Sequence, residues 1–116
     1  MEEKIKAILK ESIDVKEEIL KTQAAVIANI ANLIIDAIKS GKKLLIFGNG
    51  GSAADSQHIA AELIGRFKKE RAPIPAIALS TNTSTITALS NDYGYEVSFK
   101  RQLEGLASKE IGRAHV

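Results

Sequence analysis

An imidazole and a carboxylate four residues apart, His58 and Glu62, are the side chains in this sequence best suited to act together. On a helix that spacing puts both on one face. There they can share a metal ion, or set a general base beside a polarising group. Asp55, three residues before His58, falls on the same side and could orient the imidazole ring. An ordinary surface pair has the same spacing, so the pattern by itself leaves both readings open.

A second chemical feature lies just upstream. Gly48-Asn49-Gly50-Gly51-Ser52 follows an apolar run at residues 44–47 and opens a helical stretch. Glycines let the backbone approach an anion closely, and a helix N-terminus offers free N–H groups and a positive dipole end. Ser52 is placed to cap that helix or to offer its hydroxyl to an oxyanion. Ala53 stands where a dinucleotide fingerprint would have its third glycine, and no Gly-Lys-Ser/Thr follows as in a Walker A loop. The loop is therefore a cradle for phosphate or another polar substrate, or a glycine turn that only ends a strand. Since the helix carrying His58 and Glu62 starts here, the pair is expected near the same mouth. Two other polar groupings, residues 80–85 and Asn91-Asp92, read as a cap with a turn and as turn chemistry.

The elements that must hold these residues follow from apolar periodicity. Ile5, Ile8, Leu9, Ile13, Ile19 and Leu20 recur at helical spacing, and Val26, Ile27, Ile30, Leu33, Ile34, Ala37 and Ile38 continue it as a second helix. The second stops at Ser40-Gly41, a C-terminal glycine signal. It is apolar over more than half its circumference and is expected in an interior or against another subunit. Residues 44–47 and 75–79 have the length and apolar character of parallel strands covered on both faces. A helix is expected between them over 53–67, a short one over 84–89 capped by serine, and another from Tyr95 to Leu106. Two helices followed by strand, helix, strand, helix predict an α/β domain with a parallel sheet.

Composition narrows the class. A chain of 116 residues is at most one domain, and 45 % apolar with 26 % charged residues is the balance of a soluble globular protein. The net charge of +2 is too small to argue for nucleic acid. Lys42-Lys43 and the basic run 66–71 read as solvated helix ends. Without cysteine there is no disulfide framework and no thiol chemistry. The first residues lack the basic-then-apolar layout of a signal peptide, and the apolar stretches are too short to span a bilayer. No membrane association and a cytoplasmic location are expected.

Several motifs together carry a resemblance. LLIFGNGGSAADSQHIAAELIGRF at residues 44–67, PAIAL at 75–79 and LSNDYGY at 89–95 are similar to the sedoheptulose 7-phosphate isomerases (phosphoheptose isomerases) of the sugar-isomerase (SIS) family. The likeness covers residues 1–109. It implies a SIS-type, flavodoxin-like parallel sheet flanked by helices, with residues 1–41 as oligomerisation helices and 42–109 as the N-terminal part of a SIS domain. It implies an aldose–ketose isomerase that converts sedoheptulose 7-phosphate to D-glycero-D-manno-heptose 7-phosphate for nucleotide-activated heptose. The enzymes it resembles are homotetramers with sites between subunits. Carried over by position, Asn49, Gly50 and Gly51 match the loop that holds the sugar, and Ser52 a serine near the phosphate. Asn91 and Asp92 match residues that contact substrate hydroxyls. His58 and Glu62 match two Zn²⁺ ligands, and Glu62 also matches the catalytic base.

The resemblance also marks departures. The family continues with Gly-Asp-Val-Leu, a serine-rich phosphate loop, and a later glutamine and histidine, none of which these residues contain; nothing around His115 resembles the later motif. The sheet is therefore expected to be incomplete, and the polypeptide as written poorly folded and inactive. Residues 111–116 are what ATC GGA AGA GCA CAC GTC encodes, a sequencing-adapter string, so 110–116 are expected to be a non-native tail. A second reading comes from a related SIS family that acts as a tetrameric adaptor for the replication initiator DnaA. That adaptor lacks the carboxylate at the position of Glu62 and the second glycine of the pair, whereas this chain has Glu62 and Gly50-Gly51.

Overall fold

The structure is a computed structural model that describes residues 1–107. The chain divides into two compact units, Met1–Ile35 and the residues from Asp36 onward. The expected tail at 110–116 lies outside the described residues.

The first unit holds α1 (Glu2–Thr22) and most of α2 (Ala24–Lys39). Glu2 and Glu3 in the first turn of α1 suit the positive end of its dipole, and Lys6 bridges back to Glu2 at 2.7 Å. The helices are separated at Gln23, whose N–H still bonds the Ile19 carbonyl at 2.8 Å. No residue of α1 or α2 is buried, and Ile8 and Leu33 are exposed. Among the described residues no single helix is long and apolar enough to cross a membrane.

The second unit opens where α2 ends. Gly41, at φ +75°, takes the left-handed conformation that closes the helix. Its N–H bonds the Ile38 carbonyl and the next N–H, of Lys42, bonds that of Ala37. These two bonds form a Schellman motif, as the Ser40-Gly41 signal predicted. β1 (Leu44–Ile46), α3 (Gly51–Ile64) and β2 (Ala76–Ala78) then make the expected unit of two parallel strands joined by a helix. Leu44 pairs with Ala76 and Ile46 with Ala78. The ladder is continued by Leu44 N–H to the Pro75 carbonyl and Leu79 N–H to that of Ile46, both at 2.9 Å.

Alternation along β2 decides what the sheet buries. Ala76 and Ala78 point into a small core with Ala60 of α3, flanked by Leu44, Ile46 and Leu63. Ile77, on the opposite face, remains 39 % exposed. The expected covering of both faces is therefore met on the α3 side and not at Ile77, although Leu79 just past the strand is buried. Alanines at the contact let α3 lie close to the strands, so the core is thin.

α4 (Thr83–Tyr93), a 3₁₀ turn (Tyr95–Val97) and α5 (Ser98–Leu106) complete the unit. α4 is longer than the predicted 84–89, and its cap is not a serine. The Asn82 side chain accepts a hydrogen bond from Thr85 N–H at 3.0 Å. Asn is at least as good a cap as Ser, and placing it there starts the helix at Thr83. The helix runs on to Gly94, so Asn91 and Asp92 lie in its last turn rather than in a free turn. α5 is tied to the sheet by Gln102, whose amide donates to the Leu79 carbonyl at 3.0 Å.

Candidate functional site

The glycine loop sits at the carboxyl end of β1, where ligands bind in open α/β sheets. Two of its glycines are required by geometry. A Cβ on Gly48 would lie 2.5 Å from Ser52 Cβ and 2.8 Å from the Ser52 carbonyl carbon, so strand and helix approach too closely for a side chain. Gly50 holds φ +54° and is the N-cap of α3, which has no side-chain cap. Ser52 is therefore not the cap. It lies in the first turn, its N–H bonded to the Asn49 carbonyl at 3.0 Å and its side chain exposed. A helix end without a side-chain cap keeps N–H groups available to an anion.

Neighbouring segments fix this loop. Ser80, just after β2, reaches the Ala53 carbonyl at 3.5 Å. The Tyr95 hydroxyl donates to Asn49 Oδ1, and the Tyr95 ring meets Phe99 edge-on with centroids 6.1 Å apart. Phe47 packs on the same Phe99 at 4.9 Å. The loop thus rests on an aromatic group brought to it from the far end of the unit. Replacing Tyr95 by Phe keeps the rings and removes the bond to Asn49. It is expected to lower stability by about 1 kcal/mol; an unchanged urea midpoint would show that the hydroxyl does not hold the loop.

His58 and Glu62 come together as their spacing predicts. His58 Nε2 lies 3.2 Å from Glu62 Oε1, with the imidazole side chain 77 % exposed and the carboxylate 36 %. Asp55 is not the ring's partner; that place is taken by Glu62. The pair borders an open hollow of about 330 Å³ lined by His58, Ile59, Glu62, Leu63, Phe67 and Arg71. No loop residue lines it. At a rise of 1.5 Å per residue, His58 and Glu62 stand about 10 and 16 Å along the axis from Gly51. Loop and pair are therefore spaced along α3 rather than side by side, and the hollow beside the pair is lined by residues beyond the loop.

Asn91 and Asp92 bond to each other at 3.1 Å on the exposed side of α4, without a hydrogen bond to the loop. As metal donors, His58 and Glu62 have suitable chemistry, but no group of three or more His, Cys, Asp or Glu forms among the described residues. They provide two of the four donors zinc usually takes, so they would need ligands from elsewhere.

The basic run 66–71 divides in two. Arg66 pairs with Glu70 at 3.1 Å in the solvent, as expected. Arg71 does not fit the solvated reading. It is half-buried and donates from Nη2 to the Glu62 carbonyl and from Nη1 to the Leu63 carbonyl, both at 2.8 Å. An Arg shortly after a helix is a known partner for its last carbonyls, so a signal for this role was present in the sequence. Tyr95 had no such signal, because its partner lies 46 residues away.

Comparison with known proteins places the arrangement. The model of the SIS domain family matches residues 8–111. A phosphoheptose isomerase from Aquifex aeolicus is 59 % identical over 106 residues, which are 91 % of this chain and 56 % of that protein. The structure of phosphoheptose isomerase GmhA from Neisseria gonorrhoeae superposes with a TM-score of 0.83 at 39 % identity, covering 91 % of this chain and 54 % of that one. A phosphoheptose isomerase structure from Francisella tularensis gives 0.88 at 35 % identity, covering 93 % and 56 %. The chain spans about half the length of these relatives. With a family model matched over nearly all its residues and the same fold in two solved relatives, the chain belongs to the SIS domain family.

Proposed function

We propose that the whole protein to which this chain contributes is a cytoplasmic aldose–ketose isomerase that converts sedoheptulose 7-phosphate to D-glycero-D-manno-heptose 7-phosphate. The observation that carries this reading is the half-buried Glu62 carboxylate, bonded to His58 on a helix that begins at an uncapped glycine loop. The likeness to phosphoheptose isomerases across the chain supports it.

The reaction moves a carbonyl from C2 to C1. A base takes a proton from C1 while O2 gains one, giving an enediol; a proton then returns to C2 as O1 gives up its own. Glu62 is the group for that transfer: it is ionisable, and His58 orients it. Asn49, Gly50, Gly51 and Ser52 would hold sugar and phosphate oxygens, and Asn91 and Asp92 the hydroxyls. His58 and Glu62 would also hold Zn²⁺, which when bound supplies polarisation of the carbonyl oxygen.

As a homotetramer, the whole protein would cover the apolar residues that α1 and α2 leave unburied. The test is to incubate the whole protein with sedoheptulose 7-phosphate in deuterated water. The expected product is an aldoheptose 7-phosphate with deuterium at C2; the absence of any aldose ends the proposal.

A further inference from the structure

We propose that Arg71 is the positioning residue for Glu62, holding the last turn of α3 so that the carboxylate keeps its place beside the hollow. The inference rests on the isomerase reading. Its ground is the way the end of α3 is closed. A helix leaves its last four carbonyls without intrahelical partners. Here the Ala61 carbonyl is taken by Gly65 N–H, and that of Leu63 by Ile74 N–H at 2.9 Å as well as by Arg71. The Glu62 carbonyl accepts from the Arg71 guanidinium, a partner outside the helix.

Three features make this more than a surface contact. The two 2.8 Å bonds from one guanidinium to consecutive carbonyls use its planar fork, which an ammonium lacks. The same guanidinium donates to the Ala72 carbonyl at 3.1 Å, so the segment returning toward β2 is locked to the helix end through one side chain. Arg71 also lines the hollow with Glu62, and its charge sits at the negative end of the helix dipole. Without it the Glu62 carbonyl loses its partner, and the turn that aims the carboxylate is free to fray.

The experiment is a double-mutant cycle in the whole protein, with zinc content measured for each variant. Arg71→Ala is expected to lower kcat about 10- to 100-fold, the scale of a misplaced catalytic group, with KM little changed. In the Glu62→Gln background the same replacement is expected to cost nothing further. If Arg71 served stability alone, its effect would be equal in both backgrounds, because independent effects multiply. That outcome overturns the proposal. Arg71→Lys, which keeps the charge without the fork, is expected to recover only part of kcat, and full recovery also counts against it. Should Arg71→Ala fail to fold, the Lys variant carries the same cycle. A wild-type protein that does not isomerise, or a Glu62→Gln variant as fast as wild type, sinks the isomerase reading. A slow Glu62→Gln variant beside a fully active Arg71→Ala variant sinks this proposal alone.

Discussion

Glu62→Gln in the whole protein is expected to reduce kcat by roughly 10²–10⁴-fold, the usual contribution of a positioned general base. Glutamine keeps the size of the side chain and an oxygen that can still accept a hydrogen bond from His58. What it lacks is an oxygen able to take a proton at neutral pH. KM is expected to move little, since the group acts in the transition state rather than in holding the ground state. Zinc content measured alongside separates loss of the base from loss of a ligand. Wild-type turnover in a zinc-replete Glu62→Gln protein would remove the proposed mechanism.

The second large effect concerns the start of the same helix. Gly48→Ala puts a methyl group 2.5 Å from Ser52 Cβ and 2.9 Å from the Ser52 carbonyl oxygen. Two of the atoms in its way belong to the backbone of the first turn, so the overlap cannot be relieved by turning a side chain. Overpacking of this kind costs about 1–3 kcal/mol, and the rigid neighbours place this case toward the upper end. Gly51 is the control. A Cβ there meets nothing within 4 Å, and its φ is not positive, so Gly51→Ala is expected to leave stability nearly unchanged. Urea unfolding of the two variants decides the matter. Equal midpoints would mean that the tight approach of strand and helix does not limit this loop.

The sequence was most informative where local chemistry dictates local shape. The apolar runs that become strands, the glycine loop, the Schellman end of α2 and the one-face spacing of His58 and Glu62 all depend on residues close together in the chain. Boundaries were less legible. Ser84 looked like a cap because it begins a periodic stretch, but Asn82 two residues earlier competes better for the free N–H groups and lengthens α4. Asn91-Asp92 were misplaced for a separate reason, since turn residues and the end of a helix before glycine share a composition.

Distances were the least legible. Placing the pair on the helix that starts at the loop suggested nearness, yet the rise per residue alone separates them by two to three turns. Tyr95 and Arg71 show the two ways a supporting residue escapes notice. One meets its partner only through the tertiary fold, and the other was hidden among lysines that do stand in solvent.

The order in which the second unit assembles is set by its parallel pair. β1 and β2 cannot meet until the whole of α3 and the segment after it have folded back, so their register depends on closing a long loop. Helices such as α1 form within about a microsecond from local contacts, whereas non-local strand pairing is slow. The thin alanine seam between α3 and β2 gives that late step little apolar area to drive it. Changes at Ala60, Ala76 or Ala78 are therefore expected to slow the acquisition of the native state more than changes of equal size on the outer face of α1.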